Sequence, residues 1–395
     1  MSAIGFPLAG CADQTIARLA TATGSQAIAK LDGETLLCER AMLGGMAIPG
    51  RVSAGGGCRL FDAADGTIAL NLARPADREL LPALFETDDL DADDLEAIAA
   101  RIARSDAAAL VMRGRSMGLA IAAEHETLVS PVDACVELVT GPAAAASARR
   151  HTPRVVDLSA LWAGPLAAHL LWLAGAEVVK VESRTRPDAM REGNNTFYAL
   201  LNQGKASVVL DFGDAKDRRA LLSLIAAADI VIEAARPRAL AQLGINAAQI
   251  VRRTPGLVWV TITGHGALGE AANWVGFGDD CGVSGGLSAA LRAASGRSGF
   301  VGDAIADPLT GMLAALVAWE AWRSRQGGRF GLAMSRVIAR NLCLARDQDP
   351  SALELSLTAW SAAVGKPFPT VNRRCTGALP SFGEHTRSYL AKVAY

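Results

Sequence analysis

The sequence is short of nearly every marker that assigns a protein to a class at sight. Its seven cysteines (Cys11, Cys38, Cys58, Cys135, Cys281, Cys343, Cys375) are odd in number and scattered, with no CxxC pair. That argues against a disulfide frame or a zinc site and for buried small apolar residues or free thiols in a reducing compartment. The five histidines are equally dispersed and no HExxH occurs, so no protein-bound metal is expected. Net charge is also nearly absent, at −1, which removes the electrostatic footprint of a nucleic-acid or anionic-membrane binder. An anionic ligand must then be held by a few placed groups. The opening MSAIGFPLAGCADQ has no basic stretch before a long apolar core, and no uninterrupted apolar run approaches bilayer length. The expectation is a cytoplasmic protein with neither membrane nor nucleic acid as partner. Internal repeats are missing, as is low complexity beyond an alanine bias.

What is there is apolar: 51% of 395 residues are hydrophobic and 20% charged, enough for a sizeable core and too long for one typical domain. Up to about residue 145 the pattern is Ala-rich and helical around one β-like passage, CRLFDAADGTIALNLARP, a hairpin whose polar turn runs from Ala63 to Gly66. DDLDADDLEAIAARIAR (88–104) starts a helix with its carboxylates at the N-terminal end. GPAAAASARRHTPR (141–154) reads as a linker. From Arg154 strands and helices alternate: VVDL (155–158), GPLAAHLLWLAG (164–175), EVVKVE (177–182), ASVVLDF (206–212), RRALLSLIAA (218–227), ADIVIEA (228–234), GLVWVTITG (256–264) and a helix over 308–323. That alternation predicts an α/β fold with an open, mostly parallel Rossmann-like large domain, beside a smaller α+β domain.

The chemistry-bearing residues each admit two readings. The turn after VVDL holds Gly164 alone, without GxGxxG, and Glu182 reads as a strand terminus, so a nicotinamide dehydrogenase is disfavoured. The helix start after Trp162 could still receive a phosphate. Arg184, Arg186 and Arg191 form either a solvated loop or phosphate contacts. AGGG (54–57) is a flexible turn or a loop that closes over a substrate. His265, Asp279 and Asp280 are strand-end or turn residues unless a partner is brought to them. Asp307 is followed by Pro308 and an apolar run, which fits a plain N-cap with Pro at the first helical position.

Several strings, in order, look like the class III coenzyme A transferase family, which includes formyl-CoA and carnitine-CoA transferases and α-methylacyl-CoA racemases. They are RVVDLSALWAGPLAAHLLWLAGAEVVKVES, LLNQGKASVVLDF, ADIVIEAARPRALAQLGI, PGLVWVTITGHG, SGGL, GDAIADPLTGMLAALVAW, RQGGR and GEHTRSYL, covering about 153–345 and 376–395. Only about thirty residues separate the first block from GEHT, too few for the family's small domain, whereas SAGGGCRLFDAADGTIALNL (53–72) looks like that domain. The resemblance implies a small α+β domain permuted to residues 1–145, a CoA-binding and catalytic domain over 153–330, and a helical extension over 331–395 completing the large domain.

The resemblance implies further that Asp307 is the catalytic nucleophile, a carboxylate already ionised at neutral pH. Asp303 falls to a turn or supporting role, and Gly55, Gly56 and Gly57 form the flexible active-site loop. CoA contacts carry over to Leu161, Trp162, Ala163, Arg184, Phe212, Ala234, Ala235, Arg236 and Gln242; Trp162 replaces a Gln, the Ala pair an Asn-Phe, and Gln242 an Arg. The implied activity moves coenzyme A from an acyl-CoA to a free carboxylic acid through an aspartyl intermediate. No cofactor is held permanently, the acyl-CoA thioester being substrate, and the chain forms a homodimer. Two alternatives stand beside it. A racemase or epimerase would need a His near 275–279, where the sequence reads VGFGDD. The other is a non-catalytic acyl-CoA-binding protein.

Overall fold

The computed structural model describes residues 5–124, 126, 133–145, 151–374 and 376–393. Two sheets organise them. Strands β1 (Cys58–Asp62), β2 (Thr67–Asn71) and β3 (Ala120–Ala123) pair antiparallel in that order, the first two forming the expected hairpin. The second sheet takes β4 (Cys135–Thr140), β5 (Arg154–Asp157), β6 (Glu177–Ser183), β7 (Ala206–Leu210), β8 (Ile230–Glu233), β9 (Val258–Thr263) and β10 (Gly328–Ala333). Its order is β4-β10-β9-β8-β5-β6-β7, parallel throughout except for β4. The inner strands are runs such as IVIE and VWVTI, buried on both faces, as parallel strands sandwiched by helices must be.

At the centre lies the helix Ala306–Arg323, apolar on almost every side. It packs on the helix Ala163–Leu173, and Gly311 permits the approach: a Cβ there would sit 2.6 Å from the Ala163 carbonyl oxygen. This contact brings the first turn of one helix beside the first residue of the other.

The packing divides the chain differently from the expected boundary at 145. Helices Ala9–Thr23 and Gly33–Leu43 place Ile16, Leu19, Leu36 and Leu37 in the same core as Ala306–Arg323, and β4 closes an edge of the large sheet. The separate small unit is the stretch from β1 to β3, whose own core includes Ile68, Leu70, Ile98, Ile102, Leu110 and Ile121. Its other face sets Cys58, Leu60 and Ala69 against Val283 and Phe300 of the large body. The helix Leu95–Ile102 starts at Asp94, whose side chain accepts from the N–H groups of Glu96 and Ala97. Helices Met334–Gln348 and Pro350–Ala362 cover the large core, and Thr386–Val393 lies beside β7.

Part of the expected linker, 146–150, and Cys375 lie outside the described residues; the other six cysteines are free thiols. Among the described residues no helix is long and apolar enough to cross a membrane.

The placement of the N-terminal helix is open to test. Leu19 is fully buried between Ala9–Thr23 and the large core. Leu19→Ala should cost about 2–5 kcal/mol in denaturant unfolding, in the same transition that melts the large sheet. An unchanged midpoint would place the helix outside that core.

Candidate active site

In the large sheet the chain runs outward from β5 through β6 to β7, then returns to β8 and proceeds the other way through β9 to β10. The carboxyl ends of β5 and β8 therefore form a topological switch point, where open α/β sheets keep their ligand crevice. A cavity of about 420 Å³ opens there. Its walls come from the turn after β5 (Ala160 to Gly164), the end of β8 (Ala234, Ala235, Arg236), the end of β9 (Ile262 to Gly264), and Trp274, Phe277 and Met334. The small unit closes it with Asn71, Ala73 and Arg74, and the glycine loop leading into that unit with Gly55 and Gly57, so both units of one chain wall the cavity.

Asp307 lines this cavity in the first turn of Ala306–Arg323. The helix starts two residues earlier than the N-cap reading requires: Ile305 is the cap and offers no side-chain bond. The Asp307 carboxylate instead serves the neighbouring helix, its Oδ1 accepting the N–H of Ala163 at 3.2 Å. Two non-glycine residues beside it adopt the left-handed region, Leu161 (φ 68°) and Ala304 (φ 43°). Such strain persists only where surroundings over-determine it. Gly278 explains how the carboxylate fits: a Cβ there would stand 2.2 Å from Asp307 Oδ2 and 2.3 Å from the Ala304 carbonyl oxygen.

One cation faces a group of acids. Arg40, from the helix Gly33–Leu43, grips Asp303 with two arms, Nε to Oδ2 at 2.7 Å and Nη2 to Oδ1, and lies 4.9 Å over the Trp162 ring. Asp303 is fully buried, which makes it the principal partner of Arg40 and more than a turn residue. Asp279 also lines the cavity; it accepts the Ala304 N–H at 3.0 Å and a bond from Ser53, at the base of the glycine loop.

Burial pushes Asp307 up to about 7; Arg40 and the Ala163 N–H pull it down, and Asp279 and Asp303 push it further up. Burial and the Asp303 charge hold Asp279 at about 6, against the pull of Arg40. The expected nucleophile, fully ionised at neutral pH, is thus corrected: low-dielectric surroundings leave it titrating there.

The other expected residues separate cleanly. Leu161, Trp162, Ala163, Ala234, Ala235, Arg236, Gly55 and Gly57 line the cavity. Gly56 does not; it sits at φ 77° in the loop. The loop is closed at its base, Ser53 N–H to Cys58 O at 2.9 Å and Cys58 N–H to Ser53 Oγ at 3.1 Å. Gly57 is required by contact with the small sheet, since its Cβ would meet that of Ala73 at 2.8 Å.

Arg184, Phe212 and Gln242 stand outside the lining. Arg184 is exposed beyond β6, Phe212 packs beside the outer sheet core, and Gln242 is exposed at the end of the helix Pro237–Gln242. Arg191 is committed to Glu182 through two bonds of 2.9 and 2.6 Å, while Arg186 is exposed.

Behind the cavity, His265, Asp280 and Cys281 bring ligand-type atoms within 4.8 Å of one another, an arrangement no short spacing announces. Arg115 supplies positive charge there. Burial and that charge hold the His265 imidazole down at about 3, and burial holds Asp280 up at about 7. Arg40, Asn71, Arg74, Trp274 and Phe277 were not singled out from sequence. Arg40 meets Asp303 across 263 positions, so no local pattern could mark it.

Residues 151–333 match the family model described as CoA-transferase family III. Among curated relatives, a succinyl-CoA--D-citramalate CoA-transferase of Chloroflexus aurantiacus is 31% identical over 180 residues, 44% of this chain and 45% of the relative. A succinate--glutarate CoA-transferase of Agrobacterium fabrum is 30% identical over 200 residues, 46% and 50% of the two chains. The crystal structure of a hypothetical protein of Mycobacterium tuberculosis, 26% identical, superposes with a TM-score of 0.44 over 54% of this chain and 59% of the other. The chain thus spans about half the length of the curated relatives it matches.

Gly278→Ala tests the fit at the carboxylate. The added methyl must displace Asp307 or the Ala304 peptide, with a stability cost of about 1–3 kcal/mol. Modification of Asp307 by a carboxyl-directed reagent, read by peptide mass spectrometry, should change in rate. Unaltered stability and labelling would show that the space is free.

Proposed function

We propose that the protein transfers coenzyme A from an acyl-CoA thioester to a free carboxylic acid, with Asp307 as covalent nucleophile. The observation that supports this most is the Asp307 carboxylate itself, lining the switch-point cavity with one oxygen on the Ala163 N–H, inside the region matched to the CoA-transferase family. Relatives named as succinyl-CoA--D-citramalate and succinate--glutarate CoA-transferases suggest the same class of reaction.

The chemistry runs as four acyl transfers. The ionised Asp307 attacks the thioester carbonyl, forming a mixed anhydride and expelling CoA thiolate. The thiolate attacks the aspartyl carbonyl, leaving an aspartyl-CoA thioester and the donor's carboxylate. The acceptor carboxylate then attacks that thioester, and the thiolate returns to the acceptor's acyl carbon, regenerating Asp307. Every group enters and leaves as a carboxylate or thiolate, so no external base is needed. Arg40 keeps enough Asp307 ionised to start the cycle, and the Ala163 N–H orients the attacking oxygen. Apolar walls at Trp162, Trp274, Phe277 and Met334 exclude water that would hydrolyse the anhydride. Leu161, Ala234, Ala235 and Arg236 are the remaining candidates for contact with the CoA moiety; the closed glycine loop covers the reacting end. A homodimer of such chains remains part of the proposal, each chain carrying its own site.

A second reading has one observation in its favour: two carboxyls lining the cavity, Asp279 held at about 6 and Asp307 at about 7, suit proton transfer at an acyl α-carbon. Two experiments separate the readings. Incubation with acyl-CoA and hydroxylamine should convert Asp307 to its hydroxamate, seen on the Asp307 peptide, and Asp307→Asn should abolish both adduct and transfer. Turnover with Asp307 unmodified would sink the transferase mechanism. Deuterium entering the α-carbon of a 2-methylacyl-CoA, without transfer to any acid, would establish the racemase instead.

A further inference from the structure

A charge network beneath the β5 turn has no part in the steps above. Asp157, Lys180, Asp188 and Lys205 are all buried. Lys205 pairs with Asp157 at 2.9 Å and Lys180 with Asp188 at 3.1 Å. Apolar residues of similar volume often stabilise a core as well as buried ion pairs do, so stability alone is a poor reason for this arrangement. Its hydrogen bonds converge on one turn. Lys180 Nζ donates to the Ser159 carbonyl at 2.9 Å, and Asp157 Oδ1 accepts the Ser159 N–H at 3.0 Å. The two oxygens of Asp188 accept the Leu161 N–H at 3.2 and 3.3 Å. Leu161 is the left-handed residue of the turn, at φ 68°, and two residues later Ala163 donates its N–H to Asp307. Asp188 is itself fixed from outside, its N–H donating to Glu182 at 3.0 Å.

We propose that Asp188 is a positioning residue for Asp307: by accepting the Leu161 N–H it holds the turn in its left-handed bend and so aims the Ala163 N–H at the carboxylate. Asp188 does not line the cavity; besides the Leu161 N–H it holds Lys180 and accepts the Met190 N–H at 3.1 Å, and only the Leu161 bond leads to the Ala163 N–H. The consequence for the reaction rests on Asp307 being the nucleophile. The charged groups facing Asp307 are Arg40, Asp279 and Asp303. All three come from elements other than the β5 turn, so a change at Asp188 reaches Asp307 through the Ala163 bond.

The test is a double-mutant cycle. Asp188→Asn should lower kcat about 10–100-fold with KM little changed, because orientation is lost while the cavity walls remain. Glycine occupies the left-handed region without cost, so in a Leu161→Gly background the same Asp188→Asn change should cost no more than about threefold. Should Asp188→Asn fail to fold, Leu161→Val, at a partly exposed position, disfavours the same bend and should reproduce the loss of kcat.

A readout independent of turnover is the pH midpoint for modification of Asp307 by a water-soluble carbodiimide. It should rise in Asp188→Asn, which loses the N–H that favours the charged form, and fall back in the double variant. If those shifts occur while the wild type transfers no CoA, the positioning role stands and the transferase reading falls. Equal kcat penalties in both backgrounds, or a midpoint that does not move in Asp188→Asn, would overturn the proposal.

Discussion

The site depends on one partly buried guanidinium set against several buried carboxylates. Arg40 spends its fork on Asp303, fully buried and held through two bonds, yet its charge is also felt by Asp279 and Asp307. Removing a carboxylate from water favours its neutral form, and each neighbouring acid adds to that bias. Without that cation, more of Asp307 would be protonated at neutral pH. With a cation of its own it would be a tightly paired, ordinary acid. Shared with Asp303, Arg40 leaves it between those limits, held at about 7.

The fold supplies the other half of that balance. The switch point between β5 and β8 brings a helix start to the cavity, and its first N–H is given to Asp307. Two close approaches make the meeting possible, Gly311 against Ala163 and Gly278 against Asp307 itself. The small unit adds a wall that the large sheet lacks, with Ser53 joining the glycine loop to Asp279. Asp307, Arg40 and the glycine loop come from widely separated stretches of one chain.

Much of this framework was legible in the amino-acid order because its signals are local. Apolar β-rich runs showed five of the six parallel strands, all but β10, and the polar turn Ala63–Gly66 showed the hairpin. β4 escaped notice because it is an edge strand, half exposed along its length and without a clean apolar alternation. The helices Ala9–Thr23 and Gly33–Leu43 read correctly as helical but went to the wrong body, since an apolar face does not say which core it joins. At the site, Asp307 was found through family strings. Its local pattern pointed to a cap, whereas the helix begins earlier and the carboxylate faces another helix. Its ionisation was misjudged for a related reason: burial and the Asp279 and Asp303 charges arise only on folding. Arg40 carried no signal at all, being far from every acid it serves.

The most direct measurement is the titration of the Asp307 carboxyl carbon by NMR in the free protein, assigned by its disappearance in Asp307→Asn. A midpoint near 7 is the expected result. A midpoint near 4, the value of an exposed aspartate, would show that the carboxylate is neither buried among acids nor dependent on a shared Arg40, and would contradict the account.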